Sequence, residues 1–312
     1  MKRGISSRTD AGRIRVGIAG WKYAPWRGTF YPEGLVQRRE LEYASRALPC
    51  IEINSTFYRL QTANTFANWY AQTPDDFVFS LKAPKRITHE KRLHDVEEPI
   101  AHFLNSGLFE LRHKLGPILW QFPPSFQFNP DLLEAFLALL PHDTYAALKL
   151  AGKHDEDATK VPPLKLRHAV EIRHDSFVDA AFIAMLRRYD VALVVADTSE
   201  RWPEFEDVCS DFMYLRLHGA DKLYTSGYSE TALTHWAERI KAWSLGKEPA
   251  DARRISETAA PKRMQRDVFC YFDNTMKEEA PTNATRVLEK LGIAPDEAFK
   301  QDFAPQAKKH ST

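Results

Sequence analysis

Cysteine is scarce in this 312-residue chain: Cys50, Cys209 and Cys270 stand far apart, with no C-x-x-C pair among them. That spacing offers no disulfide framework and no thiolate zinc motif, and it reads as reduced core thiols in a cytoplasmic protein. Long apolar runs are missing too. Nothing approaches the ~18 residues of a membrane span, and the N-terminal MKRGISSRTDAGRIRV carries charge without the apolar core of a secretory signal. Neither charge sign is in excess, with 43 Lys+Arg against 42 Asp+Glu. This removes the simplest electrostatic case for a polyanion or membrane partner, while leaving room for a local basic patch. There is no G-x-S-x-G elbow, no P-loop, no dinucleotide fingerprint and no H-x-x-x-H pair, so no motif points to a nucleotide or metal cofactor.

What is present is an alternation. Eight short segments rich in Val, Ile, Phe and Leu read as buried strands. They are Ile14–Ala19, Cys50–Asn54, Phe77–Lys82, Pro117–Gln121, His168–Arg173, Val191–Asp197, Phe212–His218 and Val268–Asp273. Helical periodicity lies between them. Ile100, Phe103, Leu104, Leu108 and Leu111 fall on one helix face, as do Phe182, Met185, Leu186 and Tyr189, and Ala284, Val287, Leu288 and Leu291. Leu132–Leu140 and Leu233–Ile240 read similarly. Parallel strands joined by crossover helices, eight times over, predict a single-domain (β/α)8 barrel over 14–295 with tails at 1–13 and 296–312. The unit between the sixth and seventh strands, TSERWPEFEDVCSD, has no clear helical face. Residues 246–267, highly charged and poor in large apolar side chains, predict an exposed, mobile insertion before the last strand.

Strand parity then assigns an interior. In Cys50–Asn54 the isoleucines oppose Glu52 and Asn54; in His168–Arg173, Val170 and Ile172 oppose Glu171 and Arg173; in Phe212–His218, Met213, Leu215 and Leu217 oppose Tyr214, Arg216 and His218. If the apolar sets meet the helices, the polar sets point into the barrel, joined by Ser80, Lys82, Gln121, Asp197, Tyr271 and Asp273. Charges so placed need partners, a metal or a site. The strand C-termini are where barrels of this kind place their chemistry. A structural salt-bridge network is the competing reading, strongest for Glu52 and Glu171. The loops after the strands add Trp21, Tyr23, Trp26, Phe30 and Tyr31, then Phe57, Tyr58 and Arg59, then Lys85, Arg86 and His89. Aromatics mixed with Arg and Lys suit sugars, nucleobases or phosphorylated compounds; Trp21 and Phe30 are the ones expected to seal the barrel top instead.

The segments GIAGWKYAPWRGTFYP, EINSTFYR, TPDDFVFSLKAPKRITH, LGPILWQFPPSF, AVEIRHDSF, YLRLHG and YFDNT…APTNA occur in that order. Together they resemble the YecE-like family, known as domain of unknown function 72, from about Val16 to Leu291. The resemblance implies a TIM-type barrel and brings no reaction with it. Motif by motif it marks Trp21, Tyr23, Trp26, Glu52, Asn54, Phe57, Tyr58, Arg59, Lys82, His89, Gln121, Pro123, Pro124, Glu171, Arg173, His174, Arg216, His218, Gly219, Asn274 and Asn283. Ile18-Ala19, Ser176-Phe177, and Asp273 with Thr275 depart from the family pattern.

These residues define the expectations. An enzyme of this layout acts at the mouth on a small anionic, phosphorylated or sugar-like substrate. Glu171 and Glu52 would serve as acid and base, His218 or His89 as proton relay, and Lys82 would complete the catalytic set. Arg59, Arg173 and Arg216 would clamp the anion; Trp21, Tyr23, Asn54, Tyr58, Gln121, His174 and Asn274 would line the binding wall. A divalent metal on Glu52, Glu171, Asp197, His218 and Asp273 is a minor possibility, by analogy with sugar isomerase and abasic-site endonuclease barrels. Two different functions also fit these residues: nucleic-acid binding through Arg27, Arg59, Lys85 and Arg86, and ligand binding by a non-catalytic barrel.

Overall fold

The computed structural model describes residues 11–152, 161–219, 227–274 and 279–303. Most of the N-terminal tail, the end of the C-terminal tail and Thr275 therefore lie outside the described residues. Eight parallel strands form a closed barrel in sequential order. They are β1 (Ile14–Ala19), β2 (Cys50–Ile53), β3 (Val78–Lys82), β4 (Leu115–Gln121), β5 (His168–Glu171), β6 (Ala192–Asp197), β7 (Phe212–Leu217) and β8 (Asp267–Phe272). The last strand pairs back onto the first, with Val16 opposite Cys270. The helices among the described residues are α1 (Glu40–Ala47), α2 (Ser55–Tyr58), α3 (Ala63–Gln72), α4 (Glu97–Leu104), α5 (Pro130–Leu139), α6 (Thr144–Leu150), α7 (Ala180–Arg188), α8 (Glu230–Ser244) and α9 (Glu279–Leu291). Thr62, Asn129, Asp143, Asp179 and Ser229 each turn a side-chain oxygen to a backbone N–H of the first turn of α3, α5, α6, α7 and α8, satisfying a donor that the helix cannot.

The barrel interior is graded along its axis. Cys50, Val78, Leu119, Ala169, Ala192, Val194, Ala196, Phe212 and Phe269 pack together inside with Tyr214 and Tyr271. Above them a polar layer begins: the Tyr214 hydroxyl donates to Glu52 at 2.6 Å and the Ser80 and Tyr271 hydroxyls share a 2.7 Å bond. The polar layer thereby sits at the C-terminal end, above the packed middle of the barrel. Gly17 makes this closure possible. A Cβ there would sit 1.9 Å from the Cys50 carbonyl oxygen on the neighbouring strand. Gly17→Ala is expected to cost at least about 3 kcal/mol, measured by urea unfolding, because backbone atoms cannot give way as a side chain can.

Four expectations need correction. The Ile100–Leu111 periodicity is not one helix. It is split at Gly107, whose φ is +102° and whose Cβ position lies 2.4 Å from the Ala63 Cα, so α4 ends and a 3-10 segment Leu108–Lys114 begins. Asp197 does not point inward. On β6 the inward residues are Ala192, Val194 and Ala196, and Asp197 instead takes hydrogen bonds from Tyr228 and Trp236 on the outer side. The C-terminal tail is not free throughout: in the 3-10 segment Glu297–Phe303, Phe299 and Phe303 pack on Tyr43.

The fourth concerns the insertion. As expected, no helix links β6 to β7 and 246–266 has no regular structure, yet this segment is anchored. Asp207 accepts from the Ile255 and Ser256 amides, and Arg187 of α7 donates to the Thr258 carbonyl. Arg239 of α8 holds Asp251 at 2.7 Å, and buried Arg266 ties Gly246 to Pro261. The charged loop therefore lies between α7 and α8, over the stretch of wall where the crossover helix is missing.

Candidate active site

The C-terminal ends of β2, β5, β7 and β8 converge on one guanidinium. Arg216, 1% exposed, meets Glu52 at 2.9 Å, Glu171 at 2.7 Å and Asp273 at 2.7 Å. It also donates to the His218 Nε2 at 3.0 Å. Gln121 donates to Glu171 at 2.9 Å and Arg173 does so at 2.8 Å. Three carboxylates, Glu52, Glu171 and Asp273, thus share the interior with three cations, Arg173, Arg216 and Lys82. Burying ionised groups costs several kcal/mol each unless they are paired and hydrogen-bonded, and for Glu52 and Glu171 the pairing is complete. Burial opposes the Glu171 charge, but Arg216 and Arg173 outweigh it and hold its carboxyl well below the usual range.

Asp273 differs. Burial outweighs its Arg216 contact and pushes it up to about 6, and its side chain is 12% exposed at the mouth. His218 is driven down to about 3 by burial and by Arg216. Its Nε2 lone pair already accepts from Arg216 and its Nδ1 lies 3.2 Å from the Asp197 and Arg216 carbonyls. The network thus assigns a neutral imidazole with Nδ1 as donor, whose acceptor site is already used.

Lys82 ends β3, its carbonyl held by the Thr56 hydroxyl at 2.7 Å. Its Nζ lies 4.3 Å from the Phe57 ring centroid and, among the described residues, makes no hydrogen bond or ion pair. Burial, then Arg216, push its ammonium down to about 8. His89, on the π-helical turn Arg86–Glu90 after β3, packs edge-on to the same Phe57 ring at 4.9 Å. Burial with Lys82 and Arg173 nearby lowers it to about 4. Arg173 stacks over Trp202 at 3.8 Å. Its Nε is spent on Glu171, but its two Nη groups have no hydrogen-bond partner among the described residues.

The predicted residues therefore divide. Glu52, Lys82, Gln121, Glu171, Arg173, Arg216 and His218 come together, with His89 beside them. Trp21, Tyr23, Asn54 and Arg59 instead line a neighbouring groove of about 470 Å³ with Trp69 and Gln61. There the buried Asn54 Oδ1 has no hydrogen-bond partner among the described residues. Trp21 is itself buried against Trp69 of α3, and Phe30 packs on Trp26 and on Tyr43 of α1. Tyr58 is 71% exposed and packs edge-on to Phe57. Two residues lie elsewhere. His174 caps the short turn Asp175–Phe177 through Nδ1. Buried Asn274 donates to Asn283 at 3.0 Å, tying β8 to α9. Of the cations considered for nucleic acid, Arg27 is paired with Glu40 and Lys85 with Glu90.

Among the described residues no group of three or more His, Cys, Asp and Glu is placed to hold a metal ion; the three carboxylates surround Arg216, whose guanidinium fills the centre. No helix among the described residues is long and apolar enough to cross a membrane. Two participants carry no mark as catalytic or substrate-binding residues in the sequence. Strand parity turns Asp273 inward but marks it only as a candidate metal ligand, not as an acid/base group, and Trp202 lies in the irregular β6–β7 connection, where no periodicity marks it.

Comparison with known proteins places these features in a family. Residues 15–309 match the model described as "Protein of unknown function DUF72". The chain is 30% identical over 292 residues to UPF0759 protein YunF of Bacillus subtilis, covering 90% of this chain and 95% of that one. UPF0759 protein YecE of Escherichia coli K12 is 30% identical over 131 residues, 41% of this chain and 44% of that one. Among solved structures, a DUF72 family protein of Thermotoga maritima superposes with a TM-score of 0.69 at 24% identity, covering 90% of this chain and 99% of that one. One of Enterococcus faecalis does so at 0.66 and 19%, covering 91% and 97%. These likenesses support the barrel fold.

Proposed function

The chain belongs to the DUF72 family, and we propose that it is an enzyme performing acid/base chemistry on a small anionic substrate at the C-terminal mouth of its barrel. One observation carries this reading: the interior carboxylates are divided. All three meet Arg216, but Glu52 and Glu171 are fully buried, whereas Asp273 reaches the opening and is pushed up to about 6. Glu171, held low beside Asp273, held high, is the arrangement that separates an electrostatic support from an acid/base group. This moves the acid/base role from Glu52 and Glu171 to Asp273. The Nη groups of Arg173 supply a fork for a carboxylate or phosphate. Phe57 and Trp202 seat the Lys82 and Arg173 cations at the mouth.

A panel of phosphorylated aldoses and ketoses, sugar acids and 2-oxo acids, followed by NMR for consumption or proton exchange, tests this. At least one member is expected to turn over, and where proton abstraction by the Asp273 carboxylate limits the rate kcat/KM rises through about pH 6. Asp273→Asn is expected to lower kcat by ~10²–10⁴, and Arg173→Met to act mainly on KM. No turnover across the panel, or an Asp273→Asn variant as active as the wild type, would contradict the reading.

A further inference from the structure

Lys82 is the interior cation for which the mouth provides no partner among the described residues. Arg216 is saturated by carboxylates and Arg173 is bonded to Glu171. The Lys82 Nζ has only the Phe57 ring face, on a backbone fixed by Thr56. Glu52, Glu171 and Asp273 act on it through space without reaching hydrogen-bond distance, and Arg216 repels it. An amine kept solely for charge balance would be expected to pair with one of three nearby carboxylates, and this one does not.

We propose that Lys82 is a nucleophile that forms an imine with the carbonyl carbon of an anionic aldehyde, ketone or 2-oxo acid, Arg173 holding the anionic end. This rests on the acid/base reading of the same mouth and names its substrate class. In the step, the Nζ lone pair bonds to the carbonyl carbon while the C=O π pair moves to oxygen. Proton shift gives the neutral carbinolamine. Asp273 in its acid form then protonates the hydroxyl, the C–O bond breaks with loss of water, and the nitrogen lone pair closes the C=N bond. The products are a protonated imine, water and the Asp273 carboxylate. Burial and a neighbouring cation are the two conditions that free a lysine amine near neutral pH. At the proton affinity these produce, Lys82 carries on the order of a hundredfold more free amine at pH 7 than an ordinary lysine.

The test is reductive trapping on the full chain. Pyruvate and, separately, glyceraldehyde 3-phosphate are incubated with the protein and sodium cyanoborohydride, and adducts are located by peptide mass spectrometry. With at least one probe, Lys82 is expected to be labelled at least about tenfold above any other lysine, as its free-amine fraction requires. Lys82→Arg should abolish that label while keeping the wild-type circular dichroism spectrum. Label spread over surface lysines such as Lys22, or none at Lys82 with either probe, overturns the proposal. If no adduct forms but Asp273→Asn abolishes turnover of a panel substrate, the imine is wrong and the acid/base reading stands. If Lys82 is trapped while Asp273→Asn turns over normally, the acid/base reading fails and the amine assignment stands.

Discussion

Arg216→Met is expected to destabilise the fold by about 3–5 kcal/mol at pH 7.5, the range seen when one partner of a buried ion pair is removed. The loss follows from geometry: Arg216 reaches Glu52, Glu171 and Asp273 at 2.9, 2.7 and 2.7 Å from a position 1% exposed. Methionine fills part of the volume but leaves three carboxylates with Lys82 and Arg173 as the remaining cations. The sign of the pH dependence separates this from a packing defect. In the wild type, Glu171 is depressed below its unfolded value, so its stabilisation is present above the unfolded pKa and is lost as pH falls through the folded one. In Arg216→Met the carboxyls should instead be raised by burial, and their protonated forms favour folding. The variant's deficit should therefore shrink between pH 7.5 and 5. Urea unfolding of both proteins at the two pH values measures it; a deficit independent of pH would point to packing alone.

Lys82→Met should do the opposite, gaining about 3 kcal/mol of stability at pH 7 while abolishing the trapped adduct. The folded protein holds Lys82 at about 8 against an ordinary 10.5, so its ionised form is disfavoured by folding. For a lysine lowered in this way, stabilisation is present above the unfolded pKa and is lost as pH falls through the folded one. The methionine variant's advantage should accordingly be full below about pH 8 and vanish above about 10.5. Unfolding at pH 7 and 10.5 reads this directly. A site that keeps a cation at such a cost to stability is being held for use, the usual trade between activity and stability. A methionine variant less stable than wild type at pH 7 would instead show Lys82 to be a structural counter-charge.

The barrel is readable from the sequence because its signal is local and repeated: short apolar strands, each with apolar residues opposing polar ones. The first strand falls at Ile14–Ala19 as expected, and parity places Glu52, Lys82, Glu171, Arg216 and Asp273 inside. Parity fails at Asp197. β6 is apolar on both faces, so a polar residue at its end carries no information about side, and the donors that turn it outward, Tyr228 and Trp236, lie some thirty or more positions away in sequence. The 246–267 segment is solvated by composition, yet its carbonyls and amides are taken up by Arg187 and Asp207, long-range partners that composition does not encode. His174 has the position of a site residue because it adjoins Arg173, but its role is set two residues on, at the Ser176 amide. The least readable property is the division of the charges. Which carboxylate is locked, which one titrates, and which cation lacks a partner depend on distances between strands, and no spacing in one strand reports them.

The account turns on the free amine at the end of β3. Wild-type protein labelled with ¹³C at the lysine ε-carbon, titrated by NMR beside Lys82→Arg to assign the resonance, tests it most directly. The account predicts one resonance, absent in the variant, that titrates near 8 and is displaced when Asp273 is replaced by asparagine. A Lys82 resonance titrating with the surface lysines, at about 10.4, would contradict it.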